Sequence, residues 1–96
     1  MNKQSIIESI KAEKTYLQKQ FGVEEIALFG SYARGEEKTD SDVDILVKMS
    51  VKTLRNYIGI IDYLQEKLKA KIDLVTKHDH LSERFTRLIN KDIIYV

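Results

Sequence analysis

The sequence predicts an α/β (α+β) fold, with a small mixed sheet of three to four strands packed with helices. Two observations support this class. Apolar residues recur at helical spacing in some segments and form short strand-like runs in others, and the two patterns alternate along the chain. With 96 residues, 43% of them hydrophobic, the chain is long enough for one small core, so residues 1–96 are expected to form a single domain.

Helices are predicted where the apolar residues share one face. The first covers residues 3–20 and is expected to stop at Gly22. A short helical turn is expected from Ser31. The clearest helical pattern covers residues 54–68, and its apolar stripe is expected to belong to the core. A last helix is expected over residues 81–89, where apolar residues again recur at helical spacing.

Strands are predicted at three short apolar runs, residues 25–30, 42–48 and 71–76. Residues 92–96 form either a fourth short strand or a packed tail. The short polar connection over residues 35–41 favours a hairpin-like return between the first two strands. The later strands are separated by a helix, so the sheet is expected to be mixed.

Composition excludes several classes of protein. The absence of cysteine removes disulfides, thiolate nucleophiles and cysteine-bound zinc. No apolar run is long enough to cross a bilayer and the N-terminus does not resemble a signal segment, so a cytoplasmic protein without membrane contact is expected. The net charge is only +1 and no basic stripe is present, which disfavours direct DNA binding.

The middle of the chain is strongly acidic. Residues 24–44 contain seven acids and two bases, a net charge of −5. Asp42 and Asp44 occupy positions i and i+2 of a predicted strand, which directs both side chains to one face about 7 Å apart. Two carboxylates at that spacing repel, and a divalent cation is the simplest compensation. Oxygen ligands without cysteine favour Mg²⁺, with Mn²⁺ as an alternative.

A third aspartate repeats this pattern in the next strand, because Asp73 interrupts an apolar run. If the two strands are neighbours, Asp73 joins Asp42 and Asp44. Three carboxylates from two strands could then hold two metal ions about 3.5–4 Å apart, the arrangement used for in-line phosphoryl or nucleotidyl transfer.

A phosphate-binding site is predicted beside these acids. Gly30 ends a predicted strand and allows close approach of a ligand to the backbone, while Ser31 adds a hydroxyl donor at the start of a short helix. Arg34 is a further candidate for nucleotide binding, because its charge can neutralise phosphate. A structural pair of Arg34 with Glu36 or Asp40 is the alternative.

These residues together resemble a known family. Residues 30–35 (GSYARG), an acidic loop, residues 41–47 (SDVDILV) and a later aspartate in residues 71–75 (KIDLV) resemble the polymerase-beta-like nucleotidyltransferase superfamily. Within it, the chain most resembles the minimal nucleotidyltransferases (MNT), the antitoxins of HEPN/MNT toxin–antitoxin pairs. The resemblance implies a mixed-sheet core and Mg²⁺-dependent transfer of a nucleoside monophosphate.

The resemblance also assigns roles to individual residues. Gly30 and Ser31 correspond to the family's triphosphate-binding pair, and Asp42 and Asp44 to its metal-binding pair. Asp73 corresponds to the third acid, which assists the second metal or activates the attacking hydroxyl. For the MNT antitoxins, the implied reaction is transfer of AMP from ATP to a tyrosine hydroxyl of a partner HEPN ribonuclease toxin, which implies a hetero-oligomer.

Two other functions stay open at this point. The chain could neutralise its partner sterically, as a binding module with a vestigial nucleotide pocket. It could also transfer a nucleotide to a small molecule, although the short chain leaves no second domain to hold that acceptor. Covalent nucleotide mass on the partner separates catalysis from steric masking.

Overall fold

Helices and strands alternate along the chain in the computed structural model, which describes residues 2–77, 87 and 91–96. The elements are α1 (Lys3–Phe21), β1 (Val23–Phe29), α2 (Gly30–Arg34), β2 (Val43–Met49), α3 (Leu54–Leu68), β3 (Ile72–Thr76) and β4 (Ile94–Tyr95). The predicted α/β class is therefore confirmed. The helix expected over residues 81–89 lies outside the described residues, apart from Arg87.

The four strands form one mixed sheet in the order β3-β2-β1-β4. Strand β1 pairs antiparallel with both β2 and β4, whereas β2 and β3 are parallel. As a result, the C-terminal end of β1 and the N-terminal ends of β2 and β3 meet at the same end of the sheet. This end carries the candidate site.

The predicted boundaries of the elements differ slightly from the observed ones. Strand β1 starts at Val23, two residues before the predicted start. Val23 is buried and pairs with Met49 of β2, although the two glutamates that follow it are exposed or half-buried. Gly30 is not the last residue of this strand but the first residue of α2. Helix α1 is closed by Gly22 in the left-handed conformation, at φ 66°, as predicted.

The sheet buries apolar side chains on both faces. Helices α1 and α3 cover one face, and this core is formed by Ile6, Ile10, Leu17, Val43, Ile45, Val47, Ile60 and Leu64 with their neighbours. A smaller cluster on the opposite face contains Ala27, Phe29 and Leu46, with Val75 and Ile93 packed against it. The alternation predicted for the second strand is thus confirmed, and Asp44 lies on the face of the smaller cluster.

The apolar stripe of α3 enters the core only in part. Leu64 and Leu68 are buried, as predicted, and Ile60 is buried as well although the predicted stripe did not include it. Leu54 and Ile58 are 72% and 47% exposed, so the prediction that the whole stripe is core was wrong. Both residues lie at the margin of the stripe, and helical periodicity alone does not reveal how much of a stripe the neighbouring elements cover. Within the described residues, no helix is long and apolar enough to cross a membrane.

Helix α1 approaches α3 closely at Gly59. A methyl group at this position would lie 2.6 Å from Cε1 of Phe21, a distance at which one of the two groups must move. The Phe21 ring also makes an edge-on contact with the ring of Tyr16, which stacks on Tyr63. The glycine therefore makes room for an aromatic group between the two helices.

Gly59→Ala is expected to lower the free energy of unfolding by about 1 kcal/mol, because the overpacking against Phe21 outweighs the better helix propensity of alanine. Urea denaturation measures the change. Phe21→Leu removes the ring atoms that the new methyl would meet, so the double variant should show a favourable coupling energy. A Gly59→Ala variant more stable than wild type would contradict this packing.

Candidate active site

Residues from three strands meet at one end of the sheet. Phe29 at the end of β1 is the cross-strand partner of Asp44 on β2, and Asp44 is in turn the partner of Asp73 on β3. Gly30 follows Phe29 directly and opens α2. The register of the sheet therefore places the predicted phosphate-binding glycine and two of the predicted metal-binding acids side by side.

Gly30 lies directly against the Asp44 side chain. It has a φ of +75°, which favours glycine, and a Cβ atom added here would run into the Asp44 carboxylate and lie 3.0 Å from the Asp44 Cβ. Both the backbone conformation and the available space therefore require glycine. The space that a side chain would take at this position is occupied by the Asp44 carboxylate.

The surroundings of Asp44 disfavour the charged form of its carboxyl group. Its pKa is raised to about 6, first by burial, and then by a side-chain hydrogen bond with Asp73 and by the negative charges of Asp73 and Asp42. The nearby Arg34 acts in the opposite direction. The fold thus holds a carboxylate where its charge is unfavourable in the absence of a cation.

Asp42 stands slightly apart from the other two acids. It precedes β2, is half-buried, and lines a cleft beside the acid pair. In the described part of the chain, no three His, Cys, Asp or Glu side chains are arranged to hold a metal ion. Repulsion between like charges disfavours the close approach of three carboxylates when no cation is bound.

This donor set nevertheless fits Mg²⁺. Magnesium prefers hard oxygen ligands and is usually bound by one or two carboxylates, with water and substrate phosphates completing its octahedral shell. The Asp44–Asp73 pair offers such carboxylates, and the raised pKa of Asp44 reflects a charge that a cation would stabilise. Magnesium therefore does not need a site in which protein side chains provide every ligand.

The two remaining candidates belong to α2. Ser31 is half-buried at the second position of this helix. Arg34 is exposed, and its Nε donates to Glu36 at 3.0 Å while Nη1 donates to Asp92 at 3.5 Å. These contacts raise the pKa of Arg34. The ion pair of Arg34 with Glu36 is one of the two structural pairs that the sequence predicted. The contact of Arg34 with Asp92, which lies far along the chain, was not predicted.

Asp42 also lines a cleft of about 640 Å³. Its walls are Tyr32, the loop of residues 37–42, and the turn of residues 69–71 between α3 and β3. The turn contributes Lys69 and Lys71, neither of which the sequence pattern singled out, because lone lysines in a polar turn resemble ordinary surface residues. The sequence did contain a signal for Lys69, because α3 is not followed by a glycine of the kind that commonly ends a helix.

The fold of this chain is that of a nucleotidyltransferase. The chain belongs to the nucleotidyltransferase domain family, whose model matches residues 10–95, and it is an enzyme of this class. A protein adenylyltransferase of Thermococcus cleftensis, named MntA, is 44% identical over 92 residues, which cover 94% of this chain and 92% of that protein.

Solved structures agree on the fold. One, provisionally named a minimal nucleotidyltransferase, has a TM-score of 0.81 and 27% identity, and the match covers 98% of this chain and 95% of that chain. Another, a complex of a tri-AMPylated Shewanella oneidensis HEPN toxin with its MNT antitoxin, has a TM-score of 0.64 and 20% identity, covering 97% of this chain and 70% of the matched one. The predicted family is thus confirmed.

Gly30→Ala is expected to destabilise the fold by roughly 2–4 kcal/mol, because it adds the left-handed strain of alanine to a clash with Asp44. Gly35→Ala is the matched control. Gly35 has a similar φ of +71°, but no atom of the described residues lies within 4 Å of the place that a Cβ would take, so the strain alone should cost about 1 kcal/mol. Equal losses in urea denaturation would show that the contact with Asp44 is unimportant.

Asp44→Asn is expected to stabilise the metal-free protein by about 1 kcal/mol at pH 8, after allowing for solvent screening at this half-buried side chain. The raised pKa means that wild-type stability is highest when Asp44 is protonated in both states and falls as the pH rises through about 4 to 6. The advantage of asparagine should therefore disappear near pH 4.

Urea denaturation in EDTA across this pH range measures the difference. Asp62→Asn, at an exposed position of α3, is the control substitution. An advantage of Asp44→Asn that stays constant from pH 4 to pH 8 would contradict a titrating Asp44.

Proposed function

We propose that this chain is a Mg²⁺-dependent protein adenylyltransferase that moves AMP from ATP to a tyrosine hydroxyl of a partner HEPN ribonuclease toxin, and so acts as an antitoxin. The contact of Gly30 with Asp44, itself paired with Asp73, is the observation that carries this proposal. It joins the acids of β2 and β3 to the glycine that follows β1 and opens α2. The MntA relative is named a protein adenylyltransferase, which supports transfer of AMP. The solved complex of a HEPN toxin with an MNT antitoxin supports the type of partner.

Asp44 and Asp73, with Asp42 beside them, would hold the magnesium. When bound, the metal acts as a Lewis acid on the phosphate that is transferred. Two ions are expected from the family resemblance, and Mn²⁺ could replace Mg²⁺. A bound cation would also offset the unfavourable free energy of the Asp44 charge, which the raised pKa of this residue indicates.

The triphosphate would lie along the start of α2. Gly30 lets the nucleotide approach the backbone, and the Ser31 hydroxyl donates to a phosphate oxygen. Arg34, held by Glu36 and Asp92, adds positive charge close to the acids. An arginine with two carboxylate partners keeps a fixed orientation, which suits it to position a phosphate.

In the transfer itself, the acceptor oxygen forms a bond to the α-phosphorus. The bond from this phosphorus to the oxygen bridging to the β-phosphate breaks, and pyrophosphate leaves with the bonding electron pair. The proton of the acceptor hydroxyl passes to the Asp73 carboxylate, which is exposed at the edge of the sheet and can be reached by a partner protein. Asp73 could alternatively serve the second metal.

The partner is proposed from the neighbours. The match covers 97% of this chain and 70% of a chain from the solved complex of a HEPN toxin with an MNT antitoxin. We expect a hetero-oligomer with such a protein, in the cytoplasm, where ATP is available.

Asp44→Asn is expected to reduce transfer at least a hundredfold while the fold is retained, because it removes a metal-binding charge without changing the size of the side chain. The test incubates the chain with a candidate HEPN-type partner protein, ATP and Mg²⁺, and measures the mass of that partner. Wild type should add whole AMP groups, and a Tyr→Phe partner variant at the modified site should accept none there.

Arg55→Gln, at an exposed position on α3, is the control and should leave transfer intact. Toxin neutralised without any added mass would support the steric alternative. Undiminished transfer by Asp44→Asn would exclude this acid site as the catalytic centre.

A further inference from the structure

The turn between α3 and β3 brings two lysines to the cleft beside Asp42. Lys69 and Lys71 line one wall, and Lys38 lines the opposite wall. Within the part of the chain that the structure describes, none of these three lysines forms an ion pair, whereas Arg34, Lys48 and Lys77 each do. The cleft therefore contains positive charge that internal ion pairs do not use.

Lys69 is held in an unfavourable backbone conformation. It closes α3 with a φ of 54°, and it is the one non-glycine residue with positive φ among residues 2–77, 87 and 91–96. Helices α1 and α2 both end with glycine in this conformation, at Gly22 and Gly35. A side chain at such a position costs stability, and such strain is frequently retained at functional sites.

Lys71 is fixed next to the acids by its backbone. Its carbonyl accepts the N–H of Val43 at 2.8 Å, and Val43 stands between Asp42 and Asp44. The opposite wall is also ordered, because the N–H of Lys38 donates to the Ser41 hydroxyl at 2.8 Å. The lysine-bearing turn thus keeps a defined position relative to the candidate metal ligands.

The binding of a triphosphate at this acidic site requires compensating positive charge. Residues 24–44 carry a net charge of −5, yet a nucleoside triphosphate that binds among them is itself highly anionic. Magnesium offsets part of this repulsion, and cations from another segment must offset more. Ammonium groups act as point charges that bind phosphates well, and the turn supplies two of them.

We propose that Lys69 and Lys71 bind the β- and γ-phosphates of the nucleotide and stabilise the departing pyrophosphate. This assignment rests on the proposed function and names two further binding residues for it. It also explains why a lysine stands where glycine would be the less strained choice.

The test measures binding by isothermal titration in Mg²⁺, with α,β-methylene-ATP, pyrophosphate and AMP as probes. The double variant Lys69→Gly/Lys71→Gln should bind the triphosphate analogue and pyrophosphate about tenfold more weakly, with little change for AMP. Lys69→Arg/Lys71→Arg should retain most of the affinity. Lys11→Gln, at an exposed position of α1, is the matched control.

Lys69→Gly alone provides a check against a purely structural role. It relieves the left-handed strain, so Tm should rise by about 4 °C while affinity for pyrophosphate falls. Unchanged affinity in a stabilised variant would overturn the proposal, as would an equal loss for AMP. An effect confined to the KM for the partner protein would also overturn it, since the lysines would then bind the acceptor.

Failure of the two proposals can be told apart. If wild type binds triphosphate in Mg²⁺ and the lysine variants bind it equally well, only the role of the turn is lost. If wild type binds none of the three probes, the adenylyltransferase function falls together with this inference.

Discussion

The site depends on one unfavourable interaction, the pairing of the Asp44 and Asp73 carboxylates at the end of the sheet. The parallel register of β2 and β3 places the two residues opposite each other, and Gly30 closes the third side of Asp44. Burial and the neighbouring acids raise the pKa of Asp44 to about 6. The rest of the fold stabilises this arrangement, since apolar cores on both faces hold the three strands in register.

The charged groups of the site come from several segments. Asp42, Asp44, Arg34 and Lys38 belong to the acidic segment, whereas Asp73 and the lysines of the α3–β3 turn come from elsewhere in the chain. Arg34 is anchored through Asp92, near the end of the described chain. A nucleotide would therefore contact elements that are far apart in sequence, and its binding would couple them.

Much of the fold was predictable from local patterns. The alternation of helix and strand periods gave the class, and the acids at i and i+2 of the second strand gave the face on which Asp44 lies. Where prediction failed, the cause was tertiary. Leu54 and Ile58 belong to the stripe but remain exposed. Local periodicity carries no information about which positions a neighbouring element covers.

By itself, the sequence determined the chemistry that is available: oxygen ligands without cysteine, a glycine–serine pair, and a concentration of acids that requires cations. Tertiary structure decided which of these groups meet. It paired Asp44 with Asp73, left Asp42 on the cleft side, and gave Arg34 a partner 58 residues away. The reason is that side-chain identity fixes charge and hydrogen-bonding capacity, whereas strand register and the backbone conformation of turns fix distance. That is also why the left-handed conformation of Lys69 could be found only in the folded chain.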